Sequence, residues 1–165
     1  MRIAPFLLLA LVASVAQAHP LVSGLVGTWE LISRTDRDST GHVISETSLG
    51  ALPIGYLTYD ATGHVAAQLS ARDRSTTACD SLDGSPDPNN NANISGYSAY
   101  FGRYTVDTKT GIVTHIVTGT LAPADMGKKL WRHFKVKGDT LTIWFEPLGP
   151  DGVPRERTLI WHRAS

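Results

Sequence analysis

Residues 25–31 have the sequence Leu25-Val26-Gly27-Thr28-Trp29-Glu30-Leu31, the first strong strand pattern after an apolar N-terminal run. Gly27 has no side chain, so the backbone can bend there while another segment lies close to it. Trp29 supplies a large apolar group, and its indole N–H needs one hydrogen-bond partner when it is buried. We therefore predict that Gly27 and Trp29 begin a strand of an antiparallel sheet.

The rest of the chain repeats short strand patterns separated by turn residues. The predicted strands cover residues 25–34, 42–47, 56–59, 64–70, 100–107, 112–120, 129–137, 140–146 and 155–163. Turns such as Asp60-Ala61-Thr62-Gly63 and Gly138-Asp139 join neighbouring strands as hairpins. Such a series is typical of an antiparallel sandwich or an up-and-down barrel. Because no long crossover interrupts the hairpins, we predict an all-β fold with a single antiparallel up-and-down barrel of about 8–10 strands.

The N-terminus carries the pattern of a cleavable signal peptide over residues 1–18. Arg2 precedes an apolar run over residues 4–16, and Ala16-Gln17-Ala18 supplies the small residues of a cleavage site. The run is too short for a membrane span. We expect an exported protein, periplasmic or secreted, with a mature domain over residues 19–165 and no integral membrane segment after cleavage.

Composition excludes several classes of function. The chain has 15 basic and 15 acidic residues and lacks a long basic run, which argues against nucleic acid as a partner. A long loop over residues 71–96 is rich in Ser, Asp, Asn and Pro, but its carboxylates Asp80, Asp83 and Asp87 miss the spacing of calcium loops. Common hydrolase, metalloprotease and phosphate-binding motifs are missing as well. We predict no metal and no cofactor.

Strand alternation indicates which polar side chains face the barrel interior, because successive residues point to opposite faces. Arg132 shares a face with Leu130 and Phe134, and His115 shares one with Val113 and Val117. The predicted ligand-binding residues are Gln68, whose face is ambiguous, Tyr100, Tyr104, His115 and Arg132. Each has a structural alternative: the histidine and tyrosines as core residues, and the arginine at a barrel end or in an ion pair. A buried arginine requires an acid, a backbone carbonyl or a ligand anion.

Several motifs together resemble one known family. They are residues 25–31, Gly55-Tyr56-Leu57-Thr58-Tyr59, residues 63–69, Gly96-Tyr97-Ser98-Ala99-Tyr100-Phe101-Gly102-Arg103-Tyr104, residues 113–115 and residues 138–142. The chain resembles the bacterial and fungal lipocalin-like domain family, a relative of the lipocalins within the calycin group. The resemblance implies a barrel with an interior site for small, largely apolar molecules. Lipocalins proper also place a basic residue of the last strand across the first-strand tryptophan, which implies a closed barrel base formed by Gly27, Trp29 and Arg163.

Three functions follow as hypotheses. The first is binding of a small hydrophobic or amphipathic molecule in the barrel interior by a monomer or weak dimer. The second is an enzyme, an isomerase, cyclase or hydrolase, in which His115 acts as a general base with an acid such as Asp107 or Glu46. The third is an interaction module with a filled interior, since a fold alone does not determine function.

Overall fold

The computed structural model describes residues 24–45, 48–74, 96–149 and 152–165. The predicted signal peptide, Cys79, Glu46 and most of the 71–96 loop lie outside the described residues. The strands are β1 (Gly27–Arg37), β2 (Val43–Ile44), β3 (Ile54–Tyr59), β4 (His64–Ser70), β5 (Tyr97–Asp107), β6 (Ile112–Thr120), β7 (Lys129–Lys137), β8 (Thr140–Phe145) and β9 (Glu156–Arg163). A short 3-10 turn at Pro123–Asp125 precedes β7. Within this described part of the chain, no helix is long and apolar enough to cross a membrane.

The strands form one antiparallel sheet that closes on itself. The strands from β3 to β9 pair in chain order, each with its neighbour in the sequence. The start of β1 pairs with β3, and nearly all of β1 pairs with β9 on its other side. The result is a closed eight-stranded barrel, which confirms the predicted fold class. Of the predicted strand over residues 42–47, the described residues form β2 alone, which pairs with Asp36 and Arg37, whereas β3 pairs with residues 27–30 of β1.

Two bulges change which side chains face the interior. In β1 the register shifts between Leu31 and Ser33, so Ile32 is the extra residue. Beyond this bulge the alternation is inverted, and Arg34 and Asp36 face inward. In β6 the register shifts opposite Phe101 and Gly102, with Thr118 as the extra residue. The bulge in β1 therefore brings polar side chains into the inner wall.

The two ends of the barrel differ. Three short turns, over residues 60–63, 108–111 and 138–139, lie at one end, where Leu25 and Trp29 are fully buried and Val136 packs against the core. Longer connections leave the opposite end, between β4 and β5, β6 and β7, and β8 and β9. The first end is a closed apolar base, and the cavities lie toward the second.

Candidate functional site

Two adjoining cavities enter the barrel from the end opposite the closed base. The inner cavity has a volume of about 130 Å³ and is lined mostly by apolar side chains, among them Leu57, Ala67, Ile143 and Leu159. The outer cavity has a volume of about 1120 Å³ and is lined by residues of the open end and by outer-face side chains, Trp131 and Trp144 among them. The two share the lining residues Ser98, Tyr100, Arg132, Phe145 and Arg157. A molecule that occupies the inner cavity can therefore extend into the outer one past these five side chains.

His115 lies at the inner wall between two tyrosines. The Tyr59 hydroxyl is 2.7 Å from Nε2 of His115, and the Tyr100 hydroxyl is 2.7 Å from Nδ1. Burial, together with the nearby Arg132 charge, lowers the pKa of His115 to about 3. Burial also raises the pKa of both tyrosines. At neutral pH the imidazole is therefore uncharged, and both hydroxyls keep their protons.

Arg132 faces the interior from β7, diagonally across from His115 on β6. Its guanidinium carbon lies 3.6 Å from the centre of the Phe145 ring, and Nη1 donates to the Trp131 carbonyl at 3.2 Å. Burial lowers the pKa of Arg132, yet an arginine keeps its charge at neutral pH. Among the described residues it forms no ion pair with a carboxylate. Arg132 is thus a half-buried cation that has no carboxylate partner among the described residues and can accept an anionic one.

A second charged group lies where the two cavities meet. Asp36 is buried and accepts two hydrogen bonds from Arg157, at 2.9 and 2.6 Å, and two longer ones from Arg34, both at 3.4 Å. Burial disfavours ionisation of Asp36, but the two arginines outweigh that effect and lower its pKa. The carboxylate is therefore neutralised within the protein, and its arrangement fixes the orientation of Arg157 beside Phe145.

Trp161 lines the inner cavity from β9 and is 3 % exposed. Its indole Nε1 is buried and has no hydrogen-bond partner, the one such side-chain atom in the described part of the chain. Leaving an N–H donor unpaired in the interior costs about 1–3 kcal/mol. An orphaned donor beside a cavity is what a ligand acceptor would satisfy.

The structure brings Tyr100, His115 and Arg132 together at the inner wall. Tyr104 packs edge-on against Tyr59, with ring centres 4.9 Å apart, and donates to the Asp60 carbonyl, so it belongs to the core beneath the cavity. Gln68 is exposed on the outer face of β4 and accepts a hydrogen bond from Tyr97, so it does not face the interior.

Of the two acids suggested as partners for His115, Asp107 lies elsewhere and Glu46 lies outside the described residues. Asp107 accepts backbone N–H groups of the 108–111 turn at the closed end of the barrel. Two tyrosines, and no carboxylate of the described residues, contact the His115 ring. The described residues also contain no cluster of histidine, cysteine or acidic side chains suited to a metal.

Five residues of the site were not identified from the sequence: Arg34, Asp36, Tyr59, Arg157 and Trp161. Alternation in the last strand did carry a signal for two of them, because Arg157 and Trp161 share a face with Leu159. Alternation also places Tyr59 beside Leu57 on one face of β3. Asp36 had no such signal, because the bulge at Ile32 inverts the pattern before it.

A comparison with known protein families identifies the domain. A family model described as a lipocalin-like domain matches residues 26–164, which confirms the resemblance drawn from the sequence motifs. No curated protein matches the chain significantly. Among solved structures, the lipoprotein YedD from Klebsiella pneumoniae is similar, with 11 % sequence identity and a TM-score of 0.42 over 90 % of this chain and 78 % of the other.

Proposed function

Because the chain belongs to the lipocalin-like domain family, we propose that its barrel binds a small amphipathic molecule in the interior. The observation that carries this proposal is the inner cavity, whose apolar walls converge on a few polar side chains around Arg132. That combination is the usual anatomy of a small-molecule site.

The two cavity volumes bear on how such a molecule would lie. Sites for ligands of ordinary size measure roughly 300–1,000 Å³, which is more than the 130 Å³ of the inner cavity. One end of the molecule would therefore occupy the inner cavity, and the remainder would lie in the larger outer cavity beyond Tyr100 and Phe145.

A titration with the neutral fluorescent probe N-phenyl-1-naphthylamine tests interior binding. Ala67 lines the inner cavity, so Ala67→Leu partly fills it, while Ala66→Leu places the same side chain on the outer face of the same strand. We expect saturable binding whose affinity falls at least fivefold in Ala67→Leu and stays unchanged in Ala66→Leu. Binding that responds alike to both variants, or no saturable binding, would contradict the proposal.

We also propose that the protein is exported, on the strength of the signal-peptide pattern in residues 1–18. Expression of the full chain in a bacterial host tests this. The recovered protein should begin at His19, and Leu9→Glu, which places a charge in the apolar run, should leave residues 1–18 uncleaved. An N-terminus at Met1 in the unaltered protein would refute export by this route.

A further inference from the structure

We propose that the bound molecule is an organic monoanion, of the carboxylate type, whose head group enters the inner cavity first and is held by Arg132, Tyr100 and Trp161. This inference rests on the proposed binding function and names the class of ligand. It follows from the hydrogen-bond donors that face the cavity and from the lack of a free carboxylate among the described residues that line it.

The hydrogen-bond chain through His115 decides the direction of the Tyr100 hydroxyl. Tyr59 is fully buried, and within the described chain its hydroxyl has one partner, Nε2 of His115. Tyr59 is satisfied when it donates to Nε2, which places the imidazole proton on Nδ1 because the ring is neutral. Nδ1 then donates to the Tyr100 oxygen at 2.7 Å. The Tyr100 hydroxyl proton is then not used in the bond to His115. Because Tyr100 lines both cavities, this proton can be donated to a ligand.

Two further donors belong to residues that line the inner cavity. The Nε1–H of Trp161 is buried without a partner, and the Arg132 guanidinium has no carboxylate beside it in the described structure. Arg132 also lies close enough to Tyr100 to oppose part of the rise that burial causes in the tyrosine pKa. The cavity therefore presents an N–H, an O–H and a cation.

The matching ligand must supply acceptors and negative charge. A carboxylate has two oxygens and accepts several hydrogen bonds, whereas an ammonium group has donors alone. The Asp36 carboxylate does not serve a cationic ligand, because Arg157 and Arg34 already hold it. An alkylammonium would thus meet the Arg132 charge uncompensated, and an alcohol would leave that charge unpaired.

Three ligands that share a ten-carbon chain and differ in the head group test the assignment. They are decanoate, decan-1-ol and decylammonium, and their affinities are measured by calorimetry at pH 7.5. We expect decanoate to bind at least tenfold more tightly than either of the others, about the effect of one charged hydrogen bond. In ¹⁵N-labelled protein, decanoate should also move the indole N–H resonance of Trp161 and leave that of Trp29 in place, since Trp29 is buried in the closed base and lines neither cavity.

Variants then locate the effect. Arg132→Met should weaken decanoate at least tenfold and change decan-1-ol less than threefold. Lys135→Met, which removes an exposed charge from the same strand, should alter neither. Tyr100→Phe should weaken decanoate severalfold. The comparison of the three head groups on the unaltered protein stands even where a variant does not fold.

The failures are distinguishable. If all three ligands bind with equal affinity, the anionic head group is refuted and interior binding survives. A decanoate preference that persists in Arg132→Met overturns the role of that residue. If no ligand binds, including the neutral naphthylamine probe, the proposed function fails and this inference fails with it.

Discussion

The Arg163 guanidinium lies 4.1 Å from the centre of the Trp29 ring and closes the base of the barrel. Nη1 donates to the Val26 carbonyl at 2.9 Å and Nη2 to the Gly24 carbonyl at 2.8 Å. Gly27 completes the arrangement, because it adopts a positive φ of 140° and a Cβ there would meet Nη1 at 2.5 Å. The three residues predicted to form the base therefore meet, and the glycine makes room for the arginine.

Arg163→Met is expected to destabilise the fold by about 2–3 kcal/mol, since it removes two hydrogen bonds to a charged group and a cation–π contact. Urea unfolding measures the loss, and Lys137→Met, an exposed charge at the same end, should cost under ~0.5 kcal/mol. Ligand affinity should not change, because Arg163 lines neither cavity. Equal losses for the two variants would show that the contact with Trp29 contributes nothing.

Burial of His115 predicts a dependence of stability on pH. The pKa is about 3 in the folded protein and 6.5 in the unfolded chain. The unfolded state therefore takes up the proton first as the pH falls. The stability that His115 contributes is complete above pH 6.5 and is lost as the pH falls toward 3, at up to about 1.4 kcal/mol per pH unit.

Unfolding by urea between pH 7.5 and 5.0 tests this dependence, because most carboxylates stay ionised there. The groups around the ring are Tyr59, Tyr100 and the charged Arg132. None of them gains or loses a proton between pH 7.5 and 5.0. His115→Gln should be less stable at pH 7.5 and should flatten the slope. An unaltered slope in His115→Gln would contradict a buried neutral imidazole.

The sequence predicted the barrel well because its information is local. Hairpin turns and period-two alternation placed β6 and β7 at the bounds the structure has, and they correctly directed His115 and Arg132 inward. Gly27, Trp29 and Arg163 followed from the family resemblance. Gln68 remained ambiguous, and the structure places it on the outer face.

The charged part of the site was beyond sequence reasoning for a physical reason. Ile32 is one extra residue in β1, so each later residue of that strand points to the face opposite to the one that alternation predicts. Nothing in the sequence alternation marks the position of this bulge. Asp36 therefore looked like a turn residue, and its pairing with Arg157 spans 121 positions of the chain. Long-range pairs of this kind depend on closure of the barrel between its first and last strands.

Asp36→Asn should destabilise the protein by about 3 kcal/mol, because it leaves two arginines side by side without their shared anion. The estimate is at the low end for a buried pair, since the Arg157 side chain is 23 % exposed and partly hydrated. A double-mutant cycle with Arg157→Met measures the coupling. If the double variant is no more stable than the sum of the single losses predicts, the ion pair is not the source of the effect.

The last prediction concerns Gly102 on β5 and Gly119 on β6, which lie beside the bulge in β6. A Cβ on Gly102, which is buried, would overlap the Ile116 carbonyl oxygen and lie 2.9 Å from the Thr118 backbone nitrogen. A Cβ on Gly119 would meet the exposed Phe101 ring, which can turn away into solvent.

Gly102→Ala should therefore cost more than about 3 kcal/mol, because the backbone of β6 must move, and Gly119→Ala under ~1 kcal/mol. Chemical denaturation of both variants measures the difference. Any soluble Gly102→Ala should also bind ligand more weakly, because the displaced segment of β6 follows His115 directly. Equal costs at the two positions would mean that the bulge accommodates a side chain, and the close approach of β5 to β6 would then not be what positions Tyr100 against His115.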